Sequence, residues 1–172
     1  KGFRRQNPGR RRNAASTGSS YPGVNMLVDE LDKRIIDQLQ QDGRRTFVTI
    51  GRSIGLSEAA VRVRVRRLQD AGVLQVVAVT DPVLLGFTRL ALIGIRCSGD
   101  LGATADELAG FDEIDYLVIA AGSFDLMAEV ICRDDEHLLH MLHRIRAVKG
   151  VTATEAFVYL HIAKEIYNWG TA

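Results

Sequence analysis

The sequence has little with which to staple itself together or to leave water. Cysteine occurs twice, as Cys97 and Cys132, both in apolar segments and without CxxC spacing. A structural disulfide or a zinc cluster is therefore not expected, and a reducing cytoplasm fits. No apolar run approaches the ~18 residues that a membrane-spanning helix needs. The first residues are basic, but no apolar stretch follows them, so they do not read as a secretory signal.

What is present divides by charge. The 172 residues are 47% hydrophobic, enough for a core in one domain or in two small ones. The net charge of +1 hides a split: residues 1–80 carry 15 Lys+Arg against 7 Asp+Glu, and residues 81–172 carry 7 against 14. A basic half joined to an acidic half suggests that the first meets phosphate and the second does not.

Residues 1–25 hold six basic and no acidic residues among many Gly, Ser and Asn. Disorder in isolation is expected. They read either as a basic arm for DNA or as a leader or upstream extension ahead of Met26. Helical periodicity starts with Leu31, Ile35, Ile36 and Leu39, after the candidate N-cap Asp29 and up to Gly43. Thr46 can cap a second, shorter helix carrying Phe47, Ile50 and Ile54. Gly51 inside it costs about 1 kcal/mol relative to Ala. Gly55 turns the chain and Ser57 caps a third helix.

That third segment, VRVRVRRL, alternates like a strand. The helical reading is preferred because Ser57 is a good cap, Val61, Val65, Leu68 and Gly72 share one stripe, and Gly72 supplies a stop. On the wheel Ala59, Val63 and Asp70 point outward, flanked by Arg62, Arg66 and Arg67. Arg64 sits at the edge of the buried stripe, where an acid inside the domain is its expected partner. Leu74–Thr80 reads as a strand, the wing of a winged helix-turn-helix over 26–80. Asp81-Pro82 opens a linker over 81–87.

The second half alternates: strand Arg89–Cys97, helix Leu101–Ala109, strands Ile114–Ala120 and Leu126–Cys132, a helix capped by Asp134 and running to about Arg146, then strand Val151–Ile162. The order βαββαβ over 88–163 is a ferredoxin-like unit, so the fold class is α+β. A tail over 164–172 contains Tyr167 and Trp169, whose rings suit packing on a partner.

The residues Leu31-Asp32, Ile35, Leu39, Asp42-Gly43-Arg44, Gly55-Leu56-Ser57, Val61, Arg64-Val65, Leu68 and Gly72-Val73 continue into Gly122, Phe124-Asp125, Gly150-Val151 and Thr154. In this order and spacing, over residues 30–165, the chain resembles the Lrp/AsnC (feast/famine) family of prokaryotic transcription regulators. Three positions depart from the family pattern. Thr49 stands where an acid often completes a capping box. Gly51 replaces Ala or Ser. Ala156 replaces a Thr, which removes one polar contact if that position lines the effector pocket.

The resemblance implies a regulator, not an enzyme, with no cofactor. It also implies a homodimer that assembles further, typically to an octamer wrapping DNA in the cytoplasm, at the nucleoid. In the family, the turn matching Gly122-Ser123-Phe124-Asp125 lies at a subunit interface and holds the effector, usually an amino acid. Backbone N–H groups near Gly122 and Ser123 could take its carboxylate, Asp125 its ammonium, and Thr152 and Thr154 could add hydroxyls. Read alone, the same turn is a plain hairpin connection.

On the reading helix, Ser57, Ala59, Ala60, Arg62 and Val63 would face base edges, with Arg66 and Arg67 on the backbone. Arg44, Arg45 and Thr46 at the start of the second helix could bind phosphate. His137, His140 and His143 form HxxHxxH, which could let a metal bridge two rings but reads better as ordinary partly exposed histidines. Asp112, Glu113 and Asp115 read as a solvated loop. A metal- or redox-responsive regulator, or a ferredoxin-like enzyme with a helical appendage, are the alternatives that the residues leave open.

Overall fold

The computed structural model describes residues 28–166 and 170–171. The leader 1–25 and the aromatic residues Tyr167 and Trp169 lie outside the described residues. The described chain forms two compact units, one from residues 28–79 with 162–166 and 170–171, the other from 80–161.

The first unit contains three helices, α1 (Glu30–Gln41), α2 (Phe47–Ile54) and α3 (Glu58–Asp70). Each start is chemically marked. Asp29 accepts from the Asp32 amide at 2.8 Å while Asp32 accepts from the Asp29 amide at 3.1 Å, a reciprocal box. Thr46 and Ser57 each accept one amide, from Thr49 and Ala60, both at 3.2 Å. The absent acid at position 49 is replaced by a hydroxyl pair, Thr46 Oγ1 to Thr49 Oγ1 at 2.8 Å. Ile35, Ile36, Leu39, Ile50, Ile54, Val61, Val65, Leu68 and Leu74 close over a common core. Full burial of one such side chain contributes about 1.5–3 kcal/mol.

Gly51 is more than a weak helix former. A Cβ there would collide with the Leu56 carbonyl oxygen, because the chain doubles back through Gly55 at φ 76°. The Leu56 amide donates to the Gly51 carbonyl at 2.9 Å across that turn. Close backbone approach explains the glycine where the family pattern has a small side chain.

The expected wing does not form. Residues 74–80 join no ladder among the described residues, and Val76, Val77 and Val79 are exposed. A strand needs a partner, and once VRVRVRRL is helical the described residues of this unit offer no second one. The linker is also more ordered than a loop: Val83–Leu85 make a single 3-10 turn, ended by Gly86 at φ 90°.

The second unit carries β1 (Arg89–Cys97), α4 (Leu101–Ala109), β2 (Ile114–Ile119), β3 (Leu126–Cys132), α5 (Asp135–Ala147) and β4 (Val151–Val158). The last strand is shorter than the periodicity suggests: after Val158 only the Tyr159 amide still bonds β1, at the Leu90 carbonyl, 2.9 Å. The sheet is antiparallel in the order β2-β3-β1-β4. Alternation sends Ala91, Ile93, Ile95, Leu126, Ala128 and Val130 to a face packed with Leu108, Leu138, Met141 and Ile145 from α4 and α5. The opposite face carries the row Tyr116, Glu129, Leu92 and Phe157, paired across all four strands. Tyr116 and Phe157 there are 58% and 43% exposed, so within this chain that face is uncovered.

Candidate nucleic-acid interface and effector turn

The buried stripe of α3 leaves a defined outer face. Val63 is 69% exposed, and Ala59, Arg62 and Arg66 are exposed beside it. The Arg66 side chain projects furthest, 84% exposed, with Asp70 3.9 Å away. Arg62 is held: it pairs with Glu58, and its guanidinium lies 5.4 Å from the centre of the Phe47 ring on α2. Ser57 and Ala60 lie at the helix start, where Ser57 Oγ already serves as the cap. Arg44 is exposed, Arg45 donates to Gln38 Oε1 at 3.2 Å, and Thr46 caps α2.

Two arginines of α3 reach back to the acids at the start of α1. Arg64 Nη1 donates to Asp29 Oδ2 at 2.6 Å and to Asp32 Oδ1 at 2.9 Å. Arg67 also reaches Asp32, through Nη2 to Oδ2. Asp32 is fully buried. Arg67, expected on the DNA backbone, is engaged by Asp32 while half of its side chain stays exposed. Residues 64 and 67 are neighbours at i, i+3 on the same edge of the helix, so both reach the buried carboxylate. Hydrogen bonding from Arg64 holds the Asp29 carboxyl below the ordinary range, and Asp29 and Asp32 in turn raise Arg64.

The turn after β2 is clamped onto β1. The Ala120 amide donates to the Asp125 carbonyl, and the Asp125 amide to the Ile95 carbonyl, both at 2.9 Å. Asp125 Oδ2 accepts from the Cys97 amide at 2.7 Å, so one oxygen of the proposed ammonium partner is already engaged. Arg96 Nε donates to the Ser123 carbonyl at 3.1 Å, and its guanidinium carbon stands 5.6 Å from the Phe124 ring centre. Phe124 packs edge-on against Phe157, centroids 6.2 Å apart. Gly122 is exposed, with open space where a side chain would be.

Thr152 joins this group by donating to the Arg96 carbonyl at 3.0 Å. Thr154 does not. It pairs with Ile95 on the helix-covered face, and its hydroxyl accepts from Arg146 of α5 at 2.7 Å. Three residues were given no role in the sequence reading: Asp32, Glu58 and Arg96. The D-x-x-D spacing of Asp29 and Asp32 was a usable signal for the first, and a lone interior charge in RLALIGIRC for the last.

The histidine triplet stays dispersed in role. His137 Nδ1 accepts from the Arg133 amide at 3.3 Å and Nε2 faces Glu113 at 3.5 Å, while His140 and His143 are exposed. Among the described residues no three His, Cys, Asp or Glu side chains converge on a metal-sized point. Glu113 is not a solvated loop acid: Arg144 donates to it at 3.0 Å and stacks 4.3 Å over Phe111. Burial raises Glu113, but its own backbone amide, Arg144 and His137 outweigh that and hold it below the usual range.

Three packed helices followed by an antiparallel sheet with a clamped turn match known proteins in both halves. An AsnC-type helix-turn-helix domain matches residues 28–69, and an Lrp/AsnC ligand binding domain matches 90–169. The chain belongs to the Lrp/AsnC family of transcription regulators. The regulator FL11 of Pyrococcus horikoshii is 32% identical over 140 residues, covering 80% of this chain and 93% of that protein. The leucine response regulatory protein LrpA of Mycobacterium tuberculosis superposes with TM-score 0.75 at 27% identity, over 80% of this chain and 96% of that one. A Neisseria meningitidis regulator crystallised with L-Met shares the fold, TM-score 0.70 at 23% identity, over 82% and 95%. Membership makes the chain a DNA-binding regulator with a ligand-binding domain, and not an enzyme. No helix among the described residues is long and apolar enough to cross a membrane.

Proposed function

We propose that this regulator reads DNA as a homodimer through α3 and answers to an amino acid held at the turn over Gly122, Ser123, Phe124 and Asp125. The observation that carries the reading is the outer face of α3. Arg66 is free to reach phosphate, Val63 and Ala59 suit a thymine methyl, and Arg62 is poised for guanine or phosphate. Ser57 and Ala60, at the start of the same helix, would face base edges, and Arg44, Arg45 and Thr46, at the start of α2, would take phosphate. Two such helices in a dimer fit a roughly palindromic site with half-sites about one helical turn apart.

The effector role rests on chemistry at the turn. Backbone amides near Gly122 and the guanidinium of Arg96 suit a carboxylate, the second oxygen of Asp125 suits an ammonium, and Thr152 is adjacent. The L-Met bound to the Neisseria regulator is a ligand of that class. The uncovered sheet face is the surface for the dimer, and further assembly, to an octamer, is the step that the effector would bias. That requires different affinity for the two states. The cytoplasm, at the nucleoid, is the proposed location.

The test is fluorescence anisotropy on the DNA upstream of the chain's own gene, with and without each of the twenty amino acids. Binding should weaken steeply with salt. Full binding by the Arg62→Ala, Arg66→Ala double variant would remove α3 from the interface.

A further inference from the structure

We infer that Glu58 is a base-reading residue, accepting the exocyclic amino group of a cytosine in each half-site. The inference rests on α3 being the helix in the major groove. Glu58 is the first residue of α3, at the end that lies deepest in the groove in helix-turn-helix complexes. Its side chain is 46% exposed, on a face otherwise made of Arg62, Arg66, Ala59 and Val63. A carboxylate on a surface that approaches phosphates weakens binding to DNA of any sequence. Beyond pairing with Arg62 and suiting the helix start, its use there lies in discrimination.

The chemistry narrows the target to one base. An ionised carboxylate only accepts. In the major groove the donors are cytosine N4 and adenine N6, and the adenine amino group stands beside N7, an acceptor that repels a carboxylate. Cytosine is left. The geometry is also prepared. Oε1 is fixed by Arg62, which is itself backed against Phe47. Among the described residues no donor meets Oε2, so it is available at the helix start. Arg62, one turn further along the same face, supplies the complementary donor for a guanine or a phosphate.

The experiment is selection from a randomised duplex library with the full chain, followed by titration of the selected duplex. Wild-type protein should select a C·G pair at the same place in both half-sites and bind it about tenfold tighter than a substituted pair. Glu58→Ala should lose that preference and keep the other positions. Glu58→Gln should move it toward adenine, because an amide both donates and accepts. Either variant should bind mixed-sequence competitor more tightly. Absence of a symmetric cytosine in the wild-type site, or an unchanged preference in Glu58→Ala, overturns the inference. The Arg62→Ala, Arg66→Ala protein separates the two levels: if it keeps the wild-type site and affinity, α3 itself is not the reader. Glu58→Gln is nearly isosteric, and its far-ultraviolet spectrum and melting curve confirm folding.

Discussion

The ring of Phe124 occupies the space that a side chain at residue 94 would need. A Cβ on Gly94 would come within 2.7 Å of the ring, which real contacts do not allow. The glycine in the middle of β1 is thus the seat of the proposed effector turn, and Arg96 two residues on holds the same turn by its Ser123 carbonyl. Gly94→Ala should displace Phe124 and cost about 1–3 kcal/mol, as overpacked sites do. Effector affinity should fall in calorimetry, while the isolated effect on DNA affinity without effector stays small. An unchanged melting temperature would mean that the ring moves freely and that the turn is not clamped.

Arginines on one helix have opposite fates, and single variants separate them. Arg67→Ala should lower stability, because it removes a partner of the buried Asp32 carboxylate, and change the salt slope of DNA binding little. Arg66→Ala should do the reverse: stability within about 0.5 kcal/mol of wild type and a smaller salt slope. Asp32→Ala strands two cations and should cost about 2–3 kcal/mol. That is below the usual penalty for breaking a buried pair, since both guanidinium groups keep contact with water. Urea melts and anisotropy on each variant decide the matter.

The fate of those arginines also marks how far the sequence could be read. The stripe Val61, Val65 and Leu68 determines which side of α3 is buried, so Val63 and Ala59 could be placed outside from periodicity alone. The internal acid partner of Arg64 was legible from its place at the edge of that stripe, whereas Arg67 meets a carboxylate 35 residues earlier, which no local pattern reports. The sheet was legible because Arg89–Cys97 and Leu126–Cys132 alternate or run apolar between turn signals. The wing failed because apolar alternation over 74–80 says nothing about whether a partner strand exists. Thr154 failed for a related reason: its face is set by the pairing with Ile95, not by its own neighbours.

Acid should loosen both units through named groups. Arg64 depresses Asp29, and Glu113 is held low by its backbone amide, Arg144 and His137. A carboxyl depressed in the folded state contributes stability above its unfolded pKa, and that contribution is lost as pH falls through the folded value. Stability should therefore be steady from neutrality down to about pH 4.5 and decline below it. Glu113→Gln should flatten part of that decline in melts between pH 3 and 6. A wild-type profile there, with the same steepness, would show that Glu113 is not one of the linked groups.

Thiol reactivity should follow depth. Burial first, then Glu113 and Asp134, push Cys132 up to about 11, and Cys97 is raised less, by burial and Asp125. At pH 8 both are mainly thiols, and Cys97 is the more accessible. Iodoacetamide followed by mass spectrometry should label Cys97 slowly and Cys132 only in denaturant. Fast labelling of Cys132 in the folded protein would mean that β3 opens locally.

The uncovered face of the sheet carries its own consequence for assembly. Across it run Tyr116, Glu129, Leu92 and Phe157, with Tyr159 bonded to Glu129 and its hydroxyl pushed up to about 12 by burial and then by that carboxylate. Exposed aromatic and aliphatic surface of this kind on a sheet marks an interaction site. Tyr116 belongs to β2, an edge strand, and stands directly opposite Glu129. Tyr116→Asp would set two carboxylates side by side at the proposed dimer surface. In the single chain both remain near water, so the melting curve should shift little. Between two copies the same pair is desolvated, where like charges are most costly. Sedimentation equilibrium should show at least a tenfold weaker dimer, about 1.4 kcal/mol, and DNA affinity should fall with it because two reading helices are no longer joined. A Tyr116→Asp protein that stays dimeric and binds DNA as before would place the dimer contact elsewhere on the chain.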